Sequence, residues 1–474
     1  LTQRLDVEAL ERIRDAGIDE IRTLGQARIL GYLVERDKGG KEVYLPRRAV
    51  VPGEHVYIAP RELLADFFSY PAEEGLYVGN LISRPDVPVH LSVSGFRRHL
   101  AIIAQTGAGK SYCAGVFIEE LLEKGASILV IDPHADYAFL SFTPTGEKHE
   151  HANKITVFRN LASTGRYSER DVGNLESYEV AFQDLSPDEV CEVAGIQEGW
   201  TKIRNAVRAG LEVLQKEGRH YLPKDLIKSL EEIREGSQER DLREGASSAL
   251  KYVRKLAHLK VFGIQSTPSR ALLKPVHVSV IDLSGLEDAS MDYITSRILM
   301  DTFSAVAGGD FPYPVFVIVE EAHKFIPAGD HSTFSASIIN KIAAEGRKFG
   351  IFLVLITQRP YKVHPDSLSQ CNSQIIMKLT NPQDQEAVAQ SSERLSQDLL
   401  NDLPGLNRGE AVIVGEVTKA PVMVKVRQRK TREGGADIDV IEKLRQARKE
   451  TDMEEGLETD RRRQAPFRGA FSEV

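Results

Sequence analysis

The residues best equipped for chemistry are the run AQTGAGKS, Ala104 to Ser111, set between the apolar stretch HLAIIA and the helix-like SYCAGVFIEELLEKG. A glycine-spaced turn that enters a helix can aim several backbone N–H groups into one concavity, and the helix N-terminus adds partial positive charge, so an anion is favoured there. On the nucleotide-binding pattern, Gln105, Thr106, Gly107, Ala108 and Gly109 form the cradle, and Lys110, Ser111 and Tyr112 open the helix. Lys110 would neutralise β- and γ-phosphate charge, and the Ser111 hydroxyl would complete a Mg2+ shell. Ala104 stands where the pattern has glycine, which a tight turn tolerates if φ stays negative.

A second group lies in PVFVIVEEAHKF. The apolar run Val315 to Val319 predicts a strand buried on both faces, delivering Glu320 and Glu321 at its C-terminal end, where parallel sheets bind ligands. Glu320 would hold Mg2+ through water, and Glu321 would orient and polarise the attacking water. Successive strand residues point to opposite faces, so both acids can serve one site only because the strand is ending. The plain alternative is a pair of solvated acids opening a helix. In FLVLITQRP another buried strand ends at Thr357 and Gln358. The Gln358 amide could bond the γ-phosphate or the water and report hydrolysis, although a glutamine after a strand is by itself only a loop residue.

These residues need a frame. LAIIA, the glycine turn, the helical run and ILVID make a strand–turn–helix–strand unit, which argues for an α/β fold with a parallel sheet. Helical spacing places Cys113, Phe117 and Leu121 on one stripe, and Gly125 suits a C-terminal cap. The sheet resumes in VHVSVIDLSG, VFVIVEEAH, FLVLITQ and QIIMKLT. Upstream, ARILGYLVERDKGGKEVYLP predicts a hairpin, and further short strands punctuated by Pro and Gly predict a small β-barrel over residues 1–94. The core then covers 95–169 and 271–426, closed by a hairpin in GEAVIVGEVTKAPVMVKVR. Between its halves, 170–270 predicts a helical bundle, with Trp200, Ile203, Val207, Leu211 and Leu214 on one face. Residues 427–474 form a charged C-terminal extension.

A chain of 474 residues, 42% hydrophobic, can fill two or three domains. Its net charge of −8 gives no general attraction for nucleic acid, so a DNA contact must come from a local basic surface. Cys113, Cys191 and Cys371 are too sparse for a zinc site or a disulfide framework and suit a reducing, cytoplasmic setting. No apolar run reaches the roughly 18 residues of a membrane span, and the charged start LTQRLDVEALERIRD reads as no signal peptide. Leu1 in place of an initiator Met leaves room for an upstream segment.

Taken in order, GFRRHLAIIAQTGAGKS, ILVIDPHADY, VIVEEAHKFIP, AAEGRKFG, ITQRP and LSQCNSQIIMKLTNPQD resemble the HerA family of the HerA/FtsK superfamily over most of the chain. The resemblance implies a RecA-like P-loop ATPase core in a homo-hexamer that encloses double-stranded DNA, hydrolyses ATP with Mg2+ at subunit interfaces, and acts as a translocase or helicase with a NurA-type nuclease in end resection. Lys110 and Ser111 match the family's phosphate and magnesium residues, Glu320 and Glu321 its paired acids, and Gln358 its sensor. Arg347 matches an arginine finger that reaches a neighbour's site, where a planar, permanently charged fork suits the transition-state oxygens. Arg98 matches a second arginine, one that contacts nucleotide within the same subunit. His134, in DPHADY, is given no catalytic role. The cluster Lys425, Arg427, Arg429, Lys430 and Arg432 is open between DNA binding, a solvated face and a subunit contact. Two other functions stay open: a ring that scaffolds an effector nuclease or antiviral enzyme, and another FtsK-like DNA pump.

Overall fold

The computed structural model describes residues 29–434, except 36–40, 48–50, 52, 54, 166, 260 and 330–332, and residues 441–453, except 442 and 452. The chain divides into two compact units, Leu1–Phe67 and Phe68–Val474. In the first, β1 (Tyr32–Glu35) and β2 (Lys41–Tyr44) form the expected antiparallel hairpin, with Tyr32 opposite Tyr44. Lys41 Nζ pairs with Asp66 Oδ2 at 2.5 Å.

The second unit is built on a twelve-stranded sheet. Its strands in chain order are β3 (Gly75–Leu81), β4 (Pro88–Ser92), β5 (Leu100–Ile103), β6 (Ser127–Asp132), β7 (Ile155–Arg159), β8 (Asn174–Ser177), β11 (His277–Asp282), β12 (Val315–Val319), β13 (Ile351–Thr357), β14 (Ser373–Met377), β15 (Glu410–Val414) and β16 (Val422–Val426); the short β9 (Val180–Ala181) and β10 (Phe262–Gly263) pair apart from it. Across the sheet the order is β4-β3-β16-β15-β14-β5-β13-β12-β6-β11-β7-β8. From β14 to β8 neighbours run parallel, and β15, β16, β3 and β4 add antiparallel strands. The central strands are apolar runs without alternation because helices cover both faces; every residue of β5, β6 and β12 is buried.

The two last strands assigned to an N-terminal barrel take a different partner. β3 and β4 extend the large sheet through β16. The close approach is made by Gly79, at the β3 irregularity, where a Cβ would lie 2.0 Å from the Lys425 carbonyl oxygen. Pro88 begins the outermost strand, where a missing N–H costs no ladder bond.

Between β8 and β11 the described residues form the helices Pro187–Ala194, Thr201–Lys216, Pro223–Gly236 and Arg240–His258, followed by the one-turn helix Ser269–Leu272. The first is bounded as its residues dictate: Ser186 and Glu189 form a reciprocal capping box, and Gly195 ends it in the left-handed region. Val207, Leu211, Leu214, Leu226, Leu230, Leu250 and Val253 are buried in the common core. Gly245 lets two of these helices meet, since a Cβ would lie 2.3 Å from the Lys202 carbonyl oxygen. Among the described residues no helix is long and apolar enough to cross a membrane.

Candidate active site

β5 ends at Ile103, the glycine turn follows, and the helix Lys110–Glu123 begins. Gly107 and Gly109 take φ of 79° and 103°, which side chains with a Cβ rarely adopt, while Ala104 is not among the residues with positive φ. Not every loop amide faces an anion. Gln105 donates to the Lys378 carbonyl at 3.0 Å and Ala108 to the Gln105 carbonyl at 3.2 Å, so these two shape the loop. Gln105 Oε1 also accepts from the Thr380 hydroxyl. The amides of Thr106, Gly107 and Gly109 take no acceptor among the described residues and remain for a phosphate.

Lys110 Nζ donates to Glu320 Oε1 and, at 2.9 Å, to Glu321 Oε1. Burial works against its charge, but the two acids outweigh it and hold the ammonium above the usual lysine range. Both acids reach one lysine because β12 stops at Val319 and Glu321 turns into the left-handed region, at φ 51° and ψ 47°. For a residue with a Cβ this costs roughly 1–2 kcal/mol. Glu320 is fully buried, and its second oxygen accepts from the Tyr137 hydroxyl at 2.6 Å. Burial raises its pKa, against Lys110 and Tyr137. Glu321 Oε2 takes no hydrogen bond; it lies 3.2 Å from His323 Nδ1. The Thr106 hydroxyl donates to Gln358 Oε1 at 2.5 Å, which brings the expected sensor to the loop.

The DPHADY turn belongs to the site, which the sequence reading did not foresee. Asp132, at the end of β6, accepts backbone N–H bonds from His134, Asp136 and Tyr137. This folds the turn so that Tyr137 meets Glu320 and Asp136 Oδ2 accepts from the Ser111 hydroxyl at 2.7 Å. The signal available was position: an acid-rich turn after a strand, here next to β12, at the end of the sheet where ligands bind. His134 itself is exposed and contributes only its amide. Ser111, Asp136 and Glu320 offer a hydroxyl and two carboxylates, hard oxygen donors that fit Mg2+.

Arg98 and Arg347 are elsewhere. Arg98 precedes β5, whose far end feeds the phosphate loop, so about 20 Å of extended chain separates it from Thr106. Strand direction puts the residue at the opposite end of the sheet from the phosphate loop of its own subunit. Arg347, in the last turn of helix Phe334–Phe349 before β13, is at that same end. Both are exposed, and neither side chain has a hydrogen bond or ion pair among the described residues. His99 ties their supports together. Its Nδ1 accepts the Leu353 N–H at 2.9 Å, which leaves Nε2–H to donate to the Ala343 carbonyl at 3.0 Å. Burial, with Arg347 nearby, pulls its pKa down to about 4, so the ring is neutral.

The family described as "Helicase HerA, central domain" matches residues 76–301. The DNA double-strand break repair helicase HerA of Pyrococcus furiosus is 30% identical over 477 residues, covering 88% of this chain and 81% of that protein. The probable DNA double-strand break repair helicase HerA of Methanocaldococcus jannaschii is 29% identical, covering 92% of this chain and 91% of its own. Among solved structures, VirB4 of Thermoanaerobacter pseudethanolicus shares the fold at a TM-score of 0.55 and 14% identity, over 76% of this chain and 98% of that one. The bacterial conjugative coupling protein TrwB does so at 0.51 and 15%, over 80% and 96%.

Proposed function

The chain belongs to the HerA helicase family, and on that premise we propose that it is an ATP hydrolase that drives movement on double-stranded DNA as a ring of identical subunits, beside a nuclease, in double-strand break repair. The observation that carries this reading is the separation of two half-sites. The phosphate loop, Lys110, Glu320, Glu321 and Gln358 share one end of the sheet, and the exposed Arg98 and Arg347 share the other. An arginine at the start of a sheet strand does not reach the loop at that strand's other end, which supports a site shared between copies. Contacts that join one end of a subunit to the opposite end of the next are heterologous, and they make a ring when the rotation between copies closes. Six is the number the family resemblance implies. The buried, unpaired cysteines accord with a cytoplasmic protein.

Within this reading the residues divide the work. Ser111, Asp136 and Glu320 would hold Mg2+, which when bound screens the phosphate charge. The unpaired amides of Thr106, Gly107 and Gly109 receive phosphate oxygens. A γ-phosphate competes with Glu321 for the Lys110 ammonium, and a Glu321 carboxylate released from that pair can accept a proton from the attacking water. Gln358, bonded to Thr106, senses whether the γ-phosphate is present. Arg347 and Arg98 of the adjoining copy spread positive charge over the transferring oxygens and are released when it leaves, which changes the favoured angle between copies. DNA contacts in such a motor should meet phosphates rather than bases, because phosphates carry no direct sequence information.

ATP turnover with and without duplex DNA, for the intact chain and Glu321→Gln, tests the reading. Stimulation by DNA and near-total loss in the variant are expected. Turnover indifferent to DNA would favour a ring that scaffolds a nuclease.

A further inference from the structure

After β16 the chain continues as a strap, Arg427–Gly434, which bends at Lys430 and Thr431, packs on the helix that carries Ser111 and ends on the turn that carries Asp136. Burial alternates along it: Arg429 and Thr431 face inward, Lys430 and Arg432 outward. Two of the five residues of the basic cluster, Arg427 and Arg429, are thus turned into the protein, and Lys425, Lys430 and Arg432 stay exposed.

The contacts are specific. Arg427 Nη1 donates to Glu119 Oε2 at 2.8 Å and Nη2 to Glu120 Oε1 at 2.7 Å. Glu119 Oε1 accepts the backbone N–H groups of Lys430 and Thr431, at 2.9 and 2.8 Å, and the Thr431 hydroxyl at 2.7 Å. Arg429 is only 4% exposed. Its N–H donates to the Tyr112 hydroxyl at 2.7 Å, its Nε to Thr431 Oγ1 at 2.8 Å and its Nη2 to the Arg432 carbonyl at 3.1 Å. The guanidinium lies on Gly115, where a Cβ would come within 2.4 Å of Nε. Beyond it, Arg432 donates its N–H to the Phe142 carbonyl at 2.6 Å, and Gly434 donates to the Asp136 carbonyl at 2.9 Å. A Cβ on Gly434 would lie 2.2 Å from the Ala135 carbonyl oxygen.

A strap needed only for adhesion would do as well with apolar side chains, since a buried guanidinium loses its hydration and recovers it only through well-made hydrogen bonds. Here those bonds go to Thr431, to the Arg432 carbonyl and, at 3.5 Å, to the Ser111 carbonyl, while Gly434 at the end of the strap meets the acid-bearing turn. The Ser111–Asp136 hydrogen bond spans the same gap that the strap bridges. We propose that Arg429 is a positioning residue: with Thr431 and Gly434 it fixes the spacing of Ser111 and Asp136, and thereby sets how strongly Mg2+ raises nucleotide affinity. This rests on the reading of the site as a Mg2+–nucleotide site.

The test is equilibrium binding of ADP to the full chain by calorimetry, with Mg2+ and with chelator, for the intact protein, Arg429→Met and Gly434→Ala, each checked by thermal unfolding. Both variants should keep the affinity measured in chelator and lose about tenfold of the gain from Mg2+, as expected when groups that orient metal ligands are disturbed. An unchanged Mg2+ gain in a folded variant overturns the proposal, as does an equal loss with and without the metal. If Arg429→Met does not fold, Gly434→Ala decides, because it meets the turn alone. An intact chain that binds no ADP under either condition would instead sink the nucleotide reading beneath it.

Discussion

Glu321 Oε1 lies 2.9 Å from Lys110 Nζ, a contact available only because Glu321 leaves the strand in the left-handed conformation. One lysine therefore pairs with two buried acids, and the same lysine is the group a triphosphate would claim.

Lys110→Met removes the ammonium that, among the described residues, pairs with Glu320 and Glu321, both at most 4% exposed. Breaking a buried ion pair from one side should cost about 3 kcal/mol at pH 7. The loss should shrink at pH 5, where one carboxyl can protonate, and Glu320→Gln in the same chain should recover part of it. Urea unfolding at the two pH values measures this; a Lys110→Met chain as stable as the intact one would mean the acids are solvated.

Asp292 caps the helix that carries Arg347 from a different helix. Its carboxylate accepts the N–H groups of Phe334 at 2.7 Å and Ser335 at 2.9 Å, and the Ser335 hydroxyl. Asp292→Ala should destabilise the fold by about 1–2 kcal/mol. It should also lower ATP turnover while leaving nucleotide affinity unchanged, because the helix end it anchors is remote from the phosphate loop. Equal loss of affinity and turnover would count against this.

Acid should weaken the fold through two histidines. His99 and His277 each have a pKa lowered from 6.5 to about 4, in both cases chiefly by burial. The unfolded chain then binds more protons between these values, so stability is full above pH 6.5 and falls toward pH 4, by about 3 kcal/mol for each such group at most. His99→Gln should flatten roughly half of that slope. Melting temperatures from pH 7 to pH 4 give the comparison, and an unaltered slope would show that His99 is protonated in the fold.

How far these features were legible depends on how local their causes are. The phosphate loop and the acids at the end of β12 were readable because glycine spacing and an apolar run are contiguous in sequence. Asp136 and Tyr137 were missed because their roles arise from β6 lying beside β12, a pairing no local pattern records. Arg98 is near the loop in sequence but not in the fold: a residue just before a strand sits at the opposite end from the residue just after it. Arg427 and Arg429 looked like a charge run, yet the alternation of inward and outward residues through Arg432 was the sign of a segment with one face buried. β3 and β4 carried the marks of short strands and nothing that told a barrel from the edge of a larger sheet; Gly79 is the residue that decides it.

The claim that one copy completes another's site is tested most directly by mixing two inactive variants. Lys110→Ala lacks the phosphate lysine but keeps Arg347, and Arg347→Ala keeps the loop but lacks the finger. Mixed and allowed to exchange subunits, they should recover ATP turnover, because an Arg347→Ala copy can receive an intact arginine from its Lys110→Ala neighbour. A mixture that assembles and stays as inactive as its parts would contradict the account and return Arg347 to its own subunit.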